Sequence, residues 1–206
     1  MQRALCEIYG AKAAEVDRTT TVTPSPLNPA SIFCNKIVGR TYLIVDNSNI
    51  LLGGRDRGFR IDYGIPVLTF LGGDRLVSAS IVVSQPLGAQ RQNQMLFYGH
   101  LQQLGWRVYR HLALQNNIGE LSENETLVDG DVRTNICAAA DTPDCDSIVL
   151  MSGDGGMTSA VLYAQRAGKK VFVIAWNGTL HPALAAAATA TATIDELRPL
   201  ISRVLH

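Results

Sequence analysis

The feature that most constrains this chain is an alternation, starting at Arg40, of short apolar β-rich runs with helix-length segments. Thr41–Val45, Val77–Ser84, Trp106–His111, Ser147–Met151 and Val171–Ala175 read as strands. Between the second and third, Phe97, Leu101 and Leu104 recur at helical spacing; a helix is expected over Asp131–Ala140, and another from Met157 to Ala167, ending at Gly168. The alanine-rich segment after His181 and the closing Leu197–Leu205 predict a further helix, a short strand and a terminal helix. Such alternation requires right-handed crossovers. The expected fold is therefore α/β, three-layered, with a mainly parallel central sheet.

The alternation does not extend to the N-terminus. Residues 1–16 suit a short amphipathic helix, but the run from Arg18 to Pro29, with four threonines and three prolines, cannot continue it. The expected organisation is an extension and linker over 1–39 and one domain over 40–206, which 206 residues at 47% hydrophobic content can support.

Lys plus Arg and Asp plus Glu both total 18, so no global positive field draws in a phosphate polymer, and any nucleic-acid contact must use local patches. Cys6, Cys34, Cys137 and Cys145 are far apart, with no zinc spacing, and read as reduced, space-filling thiols. No run of about 18 apolar residues suggests a membrane span, and no secretory signal is evident. A soluble cytoplasmic protein is expected.

In an open parallel sheet, ligands gather beyond the carboxyl ends of the strands. Asp46 follows the first strand directly, and Asp154 follows Ser147–Met151 through Ser152 and Gly153. Asp131, at the start of its expected helix, would face the same rim. Three carboxylates sharing one pocket repel one another unless a cation intervenes, and hard oxygen donors select Mg²⁺ or Mn²⁺. Such an ion polarises a phosphodiester and acidifies a bound water. Taken singly, Asp131 also suits a helix N-cap, Asp154 a turn acid and Asp46 a strand-end acid. Gly153, Gly155 and Gly156 allow a tight turn and close approach to a ligand. Thr158 and Ser159 suit either a phosphate or metal-bound water, or a helix cap. Arg55, Arg57 and Arg60 suit phosphate contacts or a solvated loop.

The motifs together resemble the NYN domains, a branch of the PIN-like nucleases. Tyr42-Leu-Ile-Val-Asp46-Asn-Ser-Asn49-Ile resembles their opening strand with Asp-x-x-Asn, and Phe59-Arg-Ile-Asp-Tyr63 their Arg-Ile-Asp-Tyr stretch. Leu104-Gly-Trp-Arg-Val, Asp131-Val-Arg, Ser147-Ile-Val-Leu-Met-Ser-Gly-Asp154 and Gly168-Lys-Lys-Val-Phe-Val follow in family order. The resemblance implies a Rossmann-like (PIN-like) fold and a metal-dependent endoribonuclease, with Asp46, Asp131 and Asp154 as catalytic metal ligands and Asn49 supporting them. Single-stranded RNA is the implied partner, and a homodimer the candidate assembly. The chain departs from the pattern at Gly156, where the family has a second aspartate, at Met157 in place of phenylalanine, and at Val128 in place of lysine. A non-catalytic RNA-binding or assembly module is therefore the alternative. A haloacid-dehalogenase-like phosphatase would need an acid at Ser48, and a dinucleotide site would need GxGxxG after the first strand; both are missing.

Overall fold

The computed structural model describes residues 29–204, apart from 56, 58, 65–74, 86–89, 113, 116–120 and 123–124. The helix expected over residues 1–16 lies outside the described residues. Six strands, β1 (Thr41–Asp46), β3 (Leu76–Gln85), β4 (Arg107–Leu112), β7 (Ser147–Met151), β8 (Lys170–Ala175) and β9 (Ala190–Thr193), form one sheet in the order β4-β3-β1-β7-β8-β9. Every neighbouring pair in it is parallel. The chain builds outward from β1 through β3 to β4, then returns to the other side of β1 for β7, β8 and β9. This reversal creates a crevice at the carboxyl ends of β1 and β7.

Period-2 alternation divides the strand side chains between two cores. Leu43, Val45, Val149, Met151, Phe172 and Ile174 face one layer of helices; Ile44, Ile148, Leu150, Val171 and Val173 face the other. On the first face lie α1 (Pro29–Lys36), α2 (Asn47–Arg55), α3 (Gln90–Gln103) and α7 (Ile194–Ile201), contributing Phe33, Ile50, Leu101 and Leu197. On the second lie α4 (Glu125–Asp141), α5 (Thr158–Arg166) and α6 (Pro182–Ala187), contributing Val132, Val161 and Leu184. Each such side chain, fully buried, stabilises the fold by about 1.5–3 kcal/mol in transfer terms. Past α5, Gly168 takes φ +81°, the left-handed conformation that stops the helix at little cost to glycine.

Three sequence expectations change. The extension does not lie wholly outside the fold: Phe33 and Ile37, 4% and 0% exposed, belong to the first core. The helix carrying Asp131 begins at Glu125, so Asp131 stands inside it and is not its cap. The terminal helix stops at Ile201, after which β10 (Ser202–Val204) pairs antiparallel with β2 (Phe59–Ile61). A two-stranded β5–β6 ribbon (Leu114–Gln115 with Leu121–Ser122) completes the strands among the described residues. Cys34, Cys137 and Cys145 are free, and burial pushes the Cys34 and Cys145 thiols up to about 11, as suits packing groups. No described helix is long and apolar enough to cross a membrane.

Candidate functional site

Asp46 ends β1 and is only 3% exposed. Its position is set by both chain directions. As the residue before α2, it caps that helix, its Oδ1 accepting from the Asn49 N–H at 3.2 Å. Its Oδ2 accepts from the Ser152 hydroxyl, 3.0 Å away, just past β7. The Ser152 oxygen in turn accepts from the Asp154 N–H at 3.2 Å. Asn49 closes the circuit, its Oδ1 accepting from the Gly153 N–H at 2.9 Å. The turn after β1 is thus stitched to the turn after β7 across the crevice.

Burial dominates the electrostatics of Asp46 and raises its carboxyl from an ordinary 3.8 to about 6. The Asn49 and Ser152 hydrogen bonds oppose the rise, while the negative charges of Asp129 and Asp154 add to it. The acids that Asp46 feels are therefore Asp129 and Asp154. Asp131 faces elsewhere, its Oδ2 lying 2.8 Å from His111 Nε2 on β4. Helix phase explains the exchange. Val128, Val132 and Ile136 form the buried stripe of α4, and Asp129 and Asp131 stand about 200° apart around the axis, on opposite flanks of it. A helix started at Asp131 leaves Asp129 out of the site altogether; with the helix running from Glu125, it is Asp129 whose charge reaches Asp46. Ser152 was also missed as a site residue. Its signal is a hydroxyl just past an apolar strand, a position in which a buried side chain must find a partner.

Asp154 stands at the rim as the cap of a 3₁₀ turn (Gly155–Met157), its Oδ1 accepting from the Gly156 N–H at 2.9 Å. The glycines around it answer to protein rather than to ligand. A Cβ on Gly153 would meet the Thr179 carbonyl oxygen at 2.5 Å, and one on Gly155 the His181 ring at 2.6 Å. The loop after β8 fills the space that the sequence reading reserved for a ligand. Gly153→Ala should therefore lower stability by about 1–3 kcal/mol through overpacking. An unchanged denaturant midpoint would show that the loop yields freely.

The basic residues and Thr158 divide similarly. Arg57 donates to the Gly53 and Asn177 carbonyls, each at 2.9 Å, lies 3.8 Å from Asp195, and stacks over Trp176 at 5.0 Å from the ring centroid. Expected to contact phosphate, it instead ties α2 to the loop after β8 and to α7. Arg55 ends α2, and Arg60 lies in β2, paired with Arg203. Thr158 donates its hydroxyl to the Gly155 carbonyl at 2.7 Å, the helix-start role.

Among the described residues, no three His, Cys, Asp or Glu side chains are grouped closely enough to hold a metal ion. The expected trio of direct ligands is not assembled. What the fold does define is a three-layer α/β protein with an acidic, buried carboxylate at the switch point of its parallel sheet. Residues 40–195 match the NYN domain family, and the chain belongs to that family of PIN-like nuclease domains. Among solved structures, it is similar to a protein of unknown function, VPA0982, from Vibrio parahaemolyticus RIMD 2210633. The TM-score is 0.60 at 21% identity, over 78% of this chain and 94% of that one, a likeness of fold. No curated protein matches.

Proposed function

We propose that this chain is a metal-dependent endoribonuclease acting on single-stranded RNA, with Asp46 at the centre of its site and Asp129 and Asp154 beside it. The observation that carries the reading is Asp46 itself. It is a buried carboxylate at the switch point, raised to about 6 by burial and by two further acids, and no cationic group enters among the causes of that shift. Hard oxygen donors with excess negative charge suit Mg²⁺ or Mn²⁺, and Mg²⁺ commonly binds through one or two carboxylates while keeping several waters. A site without a close trio among the described residues suits that mode. Asp46 would be the innermost ligand, with Asp129 and Asp154 holding the hydrated ion. When bound, such an ion supplies charge stabilisation at the phosphodiester and a more acidic water.

The chain's own groups do the positioning. Ser152 and the Asn49 N–H fix both oxygens of Asp46, and Asn49 holds the turn that carries Asp154. Incubating the protein with labelled single-stranded RNA and Mn²⁺, beside an Asp46→Asn control, tests the reading: equal cleavage, or none, would sink it. The second reading is the non-catalytic module, favoured by Gly156 and by the lack of a close ligand trio among the described residues.

Gly156 offers a way to strengthen the site. It is exposed and its φ is not positive, so a side chain brings no backbone strain. A Cβ there would lie 3.1 Å from Asp154 Oδ2, so an aspartate would place its carboxylate beside that of Asp154. Gly156→Asp should tighten Mn²⁺ binding by about tenfold, the lower end of what one added ligand-shell group contributes. Calorimetric titration of both proteins measures it, and unchanged affinity in a folded variant would count against metal binding at this rim.

A further inference from the structure

Two buried amides at the carboxyl rim take no part in the hydrogen bonds around Asp46. Asn47 and Gln85 are 9% and 5% exposed. Among the described residues, neither carboxamide has a hydrogen-bond partner. The unpartnered side-chain atoms that solvent does not reach are Ser48 Oγ and Trp106 Nε1, so the amide tips of Asn47 and Gln85 are the parts of those residues left open. A buried amide with nothing to bond weakens a fold, and its retention calls for a ligand or a water.

The fold brings the two amides together. Asn47 begins α2, and Ile50, three residues on, is buried in the first core, so Asn47 lies on the sheet-facing side of that helix. α2 packs against β3. Gln85 ends β3 on the same face as Ala79, Ile81 and Val83, which belong to the same core. Asp46 is aligned with Val82, which sets Asn47 level with Val83 and Gln85 two residues beyond. One interstrand step and two residues of rise separate the two Cα atoms by about 8 Å. Both amides thus stand at the mouth between the start of α2 and the end of β3, next to Asp46.

Their chemistry selects the ligand. A carboxamide sets an acceptor beside a donor, whereas phosphate oxygens only accept and would use half of it. A base edge uses both. Asn and Gln pair in this way with N6 and N7 of adenine, while guanine is read by Arg or Lys and cytosine by Asp or Glu. A base in single-stranded RNA can leave its stack and enter such a recess.

We propose that Asn47 and Gln85 form a base pocket beside Asp46 and make the site prefer adenine. The proposal rests on the reading of the Asp46 rim as an RNA site and adds the residues that select the base.

The test is fluorescence anisotropy on the full chain with short labelled uridine strands whose central residue is adenine, guanine, cytosine or uracil, in EDTA so that none is cut. The wild type should bind the adenine strand about fivefold or more tightly than the other three, the low end for one well-paired amide. Asn47→Leu and Gln85→Met keep the shape of each side chain without its polar atoms, and each should erase most of that difference. Their melting temperatures should hold or rise, because each removes an unpaired buried amide. The two changes lie on separate elements, which covers the case in which one variant fails to fold. Equal affinity for the four strands, preference for another base, an adenine preference that survives in the folded variants, or no binding at all would overturn the proposal. Mn²⁺-dependent cleavage of the same strands, beside Asp46→Asn, reports separately on the acidic site. Cleavage without base preference would mean that only the pocket fails; an adenine preference lost in the variants, with no cleavage, would uphold the pocket and sink the nuclease reading.

Discussion

Asp46→Asn is expected to abolish Mn²⁺-dependent RNA cleavage while raising thermal stability at pH 8. Loss of a group that merely supports metal ligands costs about 10- to 100-fold in activity, so loss of the innermost carboxylate should cost more than about 100-fold. Stability moves the other way because the folded state holds Asp46 at about 6 against an ordinary 3.8, a penalty on the ionised form of about 3 kcal/mol. A raised carboxyl binds its proton more tightly folded than unfolded. The penalty is therefore absent below about pH 4, grows between about pH 4 and 6, and is fully present above. Asparagine carries no charge, can accept from the Asn49 N–H, and leaves the Ser152 hydroxyl free to reverse its bond. At pH 8 the variant should melt about 5–10 °C higher, with the gap closing near pH 4. Melting curves across that range provide the check. A variant less stable by the same amount at every pH would mean that capping of α2, and not charge, dominates at this position.

A chain cut to begin at residue 40 should lose its cooperative melt. The cut removes Phe33 and Ile37, 4% and 0% exposed. Phe33 packs edge-on to Phe172 at 5.9 Å between ring centroids. The Ile37 carbonyl accepts from Arg75 and that of Val38 from Ser147. Emptying the two apolar sites costs about 5–10 kcal/mol, against a total stability of about 5–15 kcal/mol for an ordinary domain. In the full chain, Phe33→Ala alone should lower the melting temperature by about 10 °C. A truncated protein with an intact melt would restore the boundary read from the sequence.

That boundary illustrates how far the sequence could be read. The threonine- and proline-rich run marks a break in periodicity, and the alternation that resumes after it places the domain edge at residue 40. A helix of eight residues presents too few turns for its apolar stripe to stand out, and Ile37, the other buried residue, lies one position past its end. Where the pattern was long it was reliable. The five strands from Thr41 to Ala175 and their parallel pairing followed from apolar run length and alternation with helices, and Asp46 at the rim followed from the strand end.

The local chain determined which segments become strands and helices, because period and turn chemistry act over a few residues. It also placed Asp46 and Asp154 beyond the carboxyl ends of their strands. Tertiary structure alone decided which groups meet. Starting α4 at Glu125 turns Asp129 toward Asp46 and Asp131 toward His111. The approach of the loop after β8 to Gly153 and Gly155 occupies space that glycine spacing leaves open, and Arg57 spends its donors on carbonyls from two separate segments. A helix rotates by about 100° per residue, so a shift of two residues in its phase sends a side chain to nearly the opposite side. Only the packed sheet and its neighbours select that phase.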